Sequence, residues 1–258
     1  MKISTKISVV ALVSLALALS VTPPAVAEVA VPAGFSNTLV TDQLTKPVDL
    51  AFSPDGRLFV AEQDGRVRIV QPNGTLLTFL DIRNKVDATG ERGLSAISFD
   101  PEFATTGYVF LDYTRKATSS VPVHNRIVRV TANGDAAIPG SERLIFRLPK
   151  QDDTHHIGGA LTFGDDGRLY VTTGDGVGGA SQLLSNLVGK VLRINDTGTI
   201  PNTNPFFGSL SGKRRAIWGA GLRNPFKIVD DPGSGTMFVN DVGEDSWEEI
   251  NRGQAGAN

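Results

Sequence analysis

The sequence predicts an all-β protein of propeller type. Three observations carry the prediction: a hairpin unit that recurs along the chain, a glycine content of 28 in 258 residues, and the absence of long apolar runs with a helical period. The unit is plainest in Phe52-Ser-Pro-Asp-Gly-Arg-Leu-Phe-Val60 and Phe163-Gly-Asp-Asp-Gly-Arg-Leu-Tyr-Val171. Each copy reads as a strand end, a tight Asp-Gly turn and a returning strand with alternating apolar residues. Looser copies are Phe99-Asp-Pro-Glu-Phe103 leading to Tyr108–Leu111, and Val229-Asp-Asp-Pro-Gly-Ser-Gly235 leading to Met237–Val239. Between them lie Val67–Val70, Arg126–Val130 and Lys190–Ile194, whose alternation of Arg with apolar residues predicts outer strands with one wet face. About 50 to 65 residues separate successive copies, the span of a four-stranded blade plus a long loop, so about four blades fit. A β-sandwich uses similar hairpins; the spacing favours blades.

The N-terminus carries a different signal. Lys2 and Lys6 precede an apolar run from Ile7 to Val21, and Ala25-Val26-Ala27 supplies small residues for cleavage. Residues 1–27 therefore read as a signal peptide and residues 28–258 as the propeller domain, exported to the periplasm or the extracellular space. The apolar run is short for a membrane span, and Pro23 and Pro24 follow at once. No other segment is long and apolar enough to cross a bilayer. The chain has no cysteine, which excludes disulfides and thiolate metal sites. Its 25 basic and 27 acidic residues are interspersed, so nothing resembles a nucleic-acid surface or a polybasic membrane patch.

Four segments carry candidate chemistry. His155-His156-Ile-Gly-Gly159 precedes the strand that enters the second clear hairpin. If that hairpin is symmetric about the bond between Asp165 and Asp166, Phe163 faces Arg168, Leu161 faces Tyr170 and His156 comes opposite Asp175. An Asp on one ring nitrogen fixes the tautomer and leaves the other nitrogen as a proton acceptor. A bulge at Gly158-Gly159 breaks this count. His155 is the other candidate for the working imidazole, whereas both histidines on one metal ion is disfavoured because neighbours on extended chain point to opposite faces.

The second segment is Trp218-Gly-Ala-Gly-Leu-Arg-Asn-Pro-Phe226. Its Arg223 and Asn224 offer a fork of donors and an amide to carboxylates or carbonyl oxygens on a flat ligand. The third runs from Asn240 to Asn251 and places many oxygens around Gly243, a pattern compatible with calcium or with a solvated loop. The fourth, Gly90-Glu-Arg-Gly-Leu94, is a turn ahead of the second repeat.

Taken in order, these segments resemble the glucose/sorbosone dehydrogenase family, the soluble sugar dehydrogenases that use pyrroloquinoline quinone (PQQ). The resemblance runs from about Gly34 to Asn258. It rests on Glu91–Leu94 with Phe99–Phe103, His156–Gly159 with Phe163–Val171 and Gly174-Asp175, and Gly189-Lys-Val-Leu-Arg-Ile-Asn195 with Asn204-Pro-Phe206. Gly221-Leu-Arg-Asn-Pro225 and Asn240-Asp-Val-Gly243 through Trp247-Glu-Glu-Ile-Asn251 complete it.

The resemblance implies a six-bladed propeller with the quinone on its top face. It implies that His156 is the general base taking the proton of an aldose's anomeric hydroxyl, with hydride passing to the quinone and a lactone as product. By position, Asp175 matches the residue that orients this histidine. Arg223 and Asn224 match quinone contacts, Arg223 stabilising charge on its oxygen, and Glu91 matches a cofactor-contacting position. The carbonyls of Gly243 and Glu244 match ligands of a calcium ion. An external electron acceptor is implied as well.

Two departures stand out: Ser95-Ala-Ile97 follows Gly93-Leu94 where relatives commonly have Leu-Gly, and the family continues past a terminus such as Ala257-Asn258 into blades that bind the cofactor's carboxylates. Competing readings are a non-catalytic extracellular propeller that binds a glycan or a protein partner, and a lactonase-like calcium hydrolase. The hydrolase needs several inward carboxylate or amide side chains at the axis, a set the sequence does not identify.

Overall fold

A computed structural model describes residues 31–258; the signal-peptide reading of residues 1–27 lies outside them. Residues 40–258 form one compact unit. Blade 1 contains β1 (Pro47–Phe52), β2 (Leu58–Glu62), β3 (Arg66–Val70) and β4 (Leu76–Asp81), hydrogen-bonded in that order. Blade 2 contains β5 (Leu94–Phe99), β6 (Tyr108–Arg115), β7 (His124–Asn133), the short β8 (Ala136–Ala137) and β9 (Arg143–Lys150), with β9 paired to β7. Blade 3 contains β10 (Gly158–Phe163), β11 (Leu169–Thr173), β12 (Lys190–Ile194) and β13 (Ile217–Gly219). Blade 4 contains β14 (Pro225–Asp231), β15 (Thr236–Asp241) and β16 (Glu249–Arg252). All four repeated hairpins join the first and second strands of a blade.

The first strands pack side by side, β1 on β5, β5 on β10 and β10 on β14. Together they line an open central channel that includes Asp49, Ile97, Leu161 and Ile228. This is a β-propeller arrangement, and its core sits between blades. Because side chains alternate along a strand, β6 sends Val109, Leu111 and Tyr113 into the cluster shared with blade 1, and Phe110 into the cluster shared with blade 3. A third cluster joins Tyr170 and Val191 of blade 3 to Ile228, Met237 and Val239 of blade 4.

Two expectations are corrected here. The Arg-bearing segments β3, β7 and β12 are third strands, each covered by a further strand. Their arginines are only partly exposed: those of β3 and β12 reach carboxylates, Arg66 to Glu62 at 3.1 Å and Arg193 to Asp166 at 2.6 Å, and those of β7 lie over tyrosine rings, Arg126 on Tyr113 and Arg129 on Tyr108. The β10–β11 register also differs: Phe163 pairs with Leu169 and Leu161 with Val171. The turn carries one residue more than a symmetric two-residue loop. Gly164 closes it on Arg168, and Gly167 takes the left-handed conformation (φ 69°) that an Asp cannot adopt as cheaply.

One buried group is out of keeping with its surroundings. Asp112 of β6 is fully buried, and neither carboxylate oxygen has a hydrogen-bond partner. Burial pushes its carboxyl well above the usual Asp range. The folded protein therefore holds a proton that the unfolded chain releases, and stability falls as pH rises from the ordinary Asp value towards the raised one. The expected slope is about 1.4 kcal/mol per pH unit, and Asp112→Asn removes it. Melting temperatures of both proteins followed upward from about pH 4 check this; parallel curves refute it.

Candidate active site

The loops entering β5, β10 and β14 meet the loops leaving β11 and β15 at one end of the blades, and this is where the candidate residues gather. His156 sits just before β10 with φ 52°, a left-handed conformation uncommon for a non-glycine residue. Its backbone N–H donates to Glu91 Oε2 at 2.8 Å, a bond from blade 3 to the loop entering blade 2. Its ring Nδ1 lies 2.7 Å from Asp175 Oδ1. Both side chains are largely buried, at 14% and 12% exposure. The carboxylate has no proton to give, so Nδ1 carries it and Nε2 remains an acceptor. Among the described residues no protein group occupies Nε2. The same Asp175 oxygen accepts the N–H of Val177 at 2.8 Å, and Asp175 N–H donates to Arg223 O at 2.8 Å.

The glycines make this closeness possible. Gly158 (φ 64°) and Gly159 (φ 92°) form a bulge between Gly158 and Leu161, which shifts the register and brings Gly158 opposite Thr173. On Gly174, a Cβ would run into the carbonyl of His156. A Cβ on Gly159 would run into Ser95, whose Oγ donates to Asp112 O.

Asn224 is buried and ties three loops together. Its Oδ1 accepts from Gly158 N at 2.9 Å and its Nδ2 reaches Glu91 Oε2 at 3.3 Å. Glu91 is thus braced against both His156 and Asn224. Arg223 Nη1 donates to Val242 O at 3.2 Å and to Gly243 O at 3.0 Å. Glu244 follows Gly243 in the same loop. Among the described residues no protein group bonds Nε or Nη2 of Arg223.

Sequence reasoning missed Asp241. Its two oxygens accept the backbone N–H groups of Arg223 (2.8 Å) and Asn224 (2.7 Å), clamping the dipeptide from the end of β15. Burial raises its carboxyl above the usual range, while these two N–H bonds pull the other way. The hairpin count used for His156 would have found it, because β14 pairs Pro225 with Asp241. His155 is placed apart: its Nδ1 meets Asp153 at 2.8 Å and the side chain is 60% exposed. The two imidazoles thus hold different carboxylates, and among the described residues no cluster of three or more His, Asp or Glu forms a metal site.

The family model of glucose/sorbosone dehydrogenases matches residues 44–258, which takes in the whole site. The chain belongs to the glucose/sorbosone dehydrogenase family. Aldose sugar dehydrogenase YliI of Escherichia coli (strain K12) is 32% identical over 237 residues, covering 89% of this chain and 62% of the relative. The Hedgehog-interacting protein of Mus musculus is 30% identical over 218 residues, covering 74% of this chain and 31% of the relative. The PQQ-bound aldose sugar dehydrogenase of Streptomyces coelicolor superposes with a TM-score of 0.74 at 29% identity, over 85% of this chain and 63% of that one. The chain thus spans less than two thirds of the length of these family members. No helix among its described residues is long and apolar enough to cross a membrane.

Proposed function

We propose that this chain is part of a PQQ-dependent dehydrogenase that oxidises the anomeric hydroxyl of an aldose to the lactone. The observation that carries the reading is the 2.7 Å contact between His156 Nδ1 and Asp175 Oδ1, which leaves Nε2 as a proton acceptor at the rim of a pocket. His156 accepts the hydroxyl proton at Nε2, and Asp175 stabilises the imidazolium that results. Arg223 offers Nε and Nη2 to anionic oxygen, and Asp241 and Asn224 hold that arginine's backbone in register with His156.

The donor set fits a flat, carboxylated quinone: a cation with unengaged donors and a fixed amide stand beside the imidazole. Arg223, Asn224 and His156 would hold it, with Glu91 bracing the latter two. When bound, the quinone supplies a hydride acceptor for the anomeric carbon. Calcium enters the proposal at the carbonyls of Gly243 and Glu244, the first of which also accepts from Arg223 Nη1 at 3.0 Å and keeps a second lone pair. No step is assigned to it. An external electron acceptor and export by the N-terminal signal complete the reading.

The competing reading, a non-catalytic propeller binding a glycan or protein partner, draws on the Hedgehog-interacting relative. The paired His156–Asp175 with its available Nε2 favours oxidation. Dye reduction by the full-length protein with aldoses, with and without added quinone and calcium, tests it. Quinone-dependent turnover is expected; its absence in folded, full-length protein removes the oxidation.

A further inference from the structure

Lys190, the first residue of β12, is fully buried, and among the described residues no carboxylate pairs with it. Its Nζ donates instead to two backbone carbonyls, Ser181 O at 2.5 Å and Val188 O at 2.6 Å. A buried cation without a counter-ion is costly, and burial lowers the pKa of this amine to about 8. The neutral amine still has two N–H groups for the two carbonyls, so the contacts outlast the charge. An apolar side chain of similar size would fill the same space without that cost. What the lysine adds is the pair of bonds.

Both carbonyls belong to the loop of residues 174–189, which leaves β11 with Asp175 and returns into β12. Ser181 O also accepts the N–H of Gly221 at 3.0 Å, and Gly189 O accepts that of Leu222 at 3.2 Å. The loop therefore holds the segment that leads into Arg223 and Asn224. Gly189 N–H donates to Gly174 O at 2.9 Å, next to Asp175, whose own N–H donates to Arg223 O at 2.8 Å. The junction is tight: a Cβ on Gly189 would run into Ser181 and the carbonyl of Leu222. One amine thus stands where the loop bearing Asp175 meets the loop bearing Arg223. We propose that Lys190 is a positioning residue, its amine fixing residues 174–189 so that Asp175 reaches His156 with Arg223 beside them. The inference deepens the reading of His156 as the base and rests on it.

NMR on the full-length protein without quinone tests it. The proton that His156 Nδ1 donates to Asp175 gives a downfield resonance that reports their contact. The amides of Gly189, Gly221 and Leu222 report the junction through their exchange with solvent. Lys190→Met, close in size but without the donors, should abolish the resonance and speed exchange of those amides about tenfold, the effect of one lost hydrogen bond. Amides in blades 1 and 2 should exchange as before. In dye reduction with added quinone, kcat should fall about tenfold or more while the aldose KM moves little, because a misplaced base slows turnover. Gly189→Ala leaves the lysine in place and crowds the same junction from the other side. It should reproduce both NMR changes, and it serves as the test if Lys190→Met does not fold.

An unchanged resonance and unchanged amide rates in a folded variant overturn the proposal. So does exchange that rises equally in every blade with the resonance kept, the mark of a lysine that only supports the fold. In the unmodified protein, junction amides that exchange as fast as open loop amides overturn it without recourse to a variant. Turnover separates the two readings. Aldose oxidation that folded Lys190→Met leaves unchanged removes the positioning role and keeps the oxidation. No turnover in the unmodified protein removes the oxidation, while the resonance still decides whether Lys190 holds Asp175 against His156.

Discussion

Replacing His156 with Ala is expected to lower quinone-dependent aldose oxidation by about 10²–10⁴-fold, the usual contribution of a positioned general base. The fold should survive, because the ring is bonded to Asp175 at the mouth of the blades and not packed in any of the three core clusters. Quinone binding, read from the absorbance of the bound cofactor, should be largely kept, since Arg223 and Asn224 are held by Asp241 independently of the imidazole. Dye reduction measures the loss. Turnover at the unmodified rate would sink the assignment of the base.

Gly174→Ala should reduce oxidation about as far as His156→Ala, without touching the imidazole. Gly174 N–H donates to Ile157 O at 3.2 Å, and Gly189 N–H donates to Gly174 O at 2.9 Å, so the residue is pinned from both sides. A methyl group there meets the His156 carbonyl, so the segment carrying His156 or the one carrying Asp175 has to shift relative to the other. The same crowding should lower stability by roughly 1–3 kcal/mol, as overpacking does elsewhere. Urea unfolding and dye reduction on one preparation check both effects. If the variant keeps its melting point and its turnover, the close approach at Gly174 does not position the base.

The hairpin count shows how far local reading reaches. It brings His156 opposite Asp175, and the structure places them in contact, yet two of its intermediate pairings are wrong. The turn holds one residue more than assumed, which moves Phe163 from Arg168 to Leu169. The bulge at Gly158 then shifts the register back by one. Two single-residue displacements cancel. Turn propensity shows that the chain reverses near Asp165–Gly167, but the side on which an extra residue is inserted depends on backbone angles that Gly adopts freely. The same reasoning explains Asp241. It was legible as the end of a repeated hairpin, but its acid-rich surroundings pointed to metal ligation, and only the fold shows it spent on two backbone N–H groups.

Sequence alone determined the blades of this protein, since each hairpin is set by neighbours within a few residues: a turn begun by Asp, with Asp-Gly in two copies and Asp-Pro in the other two, flanked by alternating apolar side chains. It also singled out His156, Asp175, Arg223 and Asn224, which lie at the ends of those hairpins. What tertiary structure decided is how separate blades share one site. Glu91 stands 65 residues from His156 and 133 from Asn224, yet one of its oxygens serves both. Such contacts are fixed by the apolar faces that pack blade against blade, and no local pattern of residues encodes their distance.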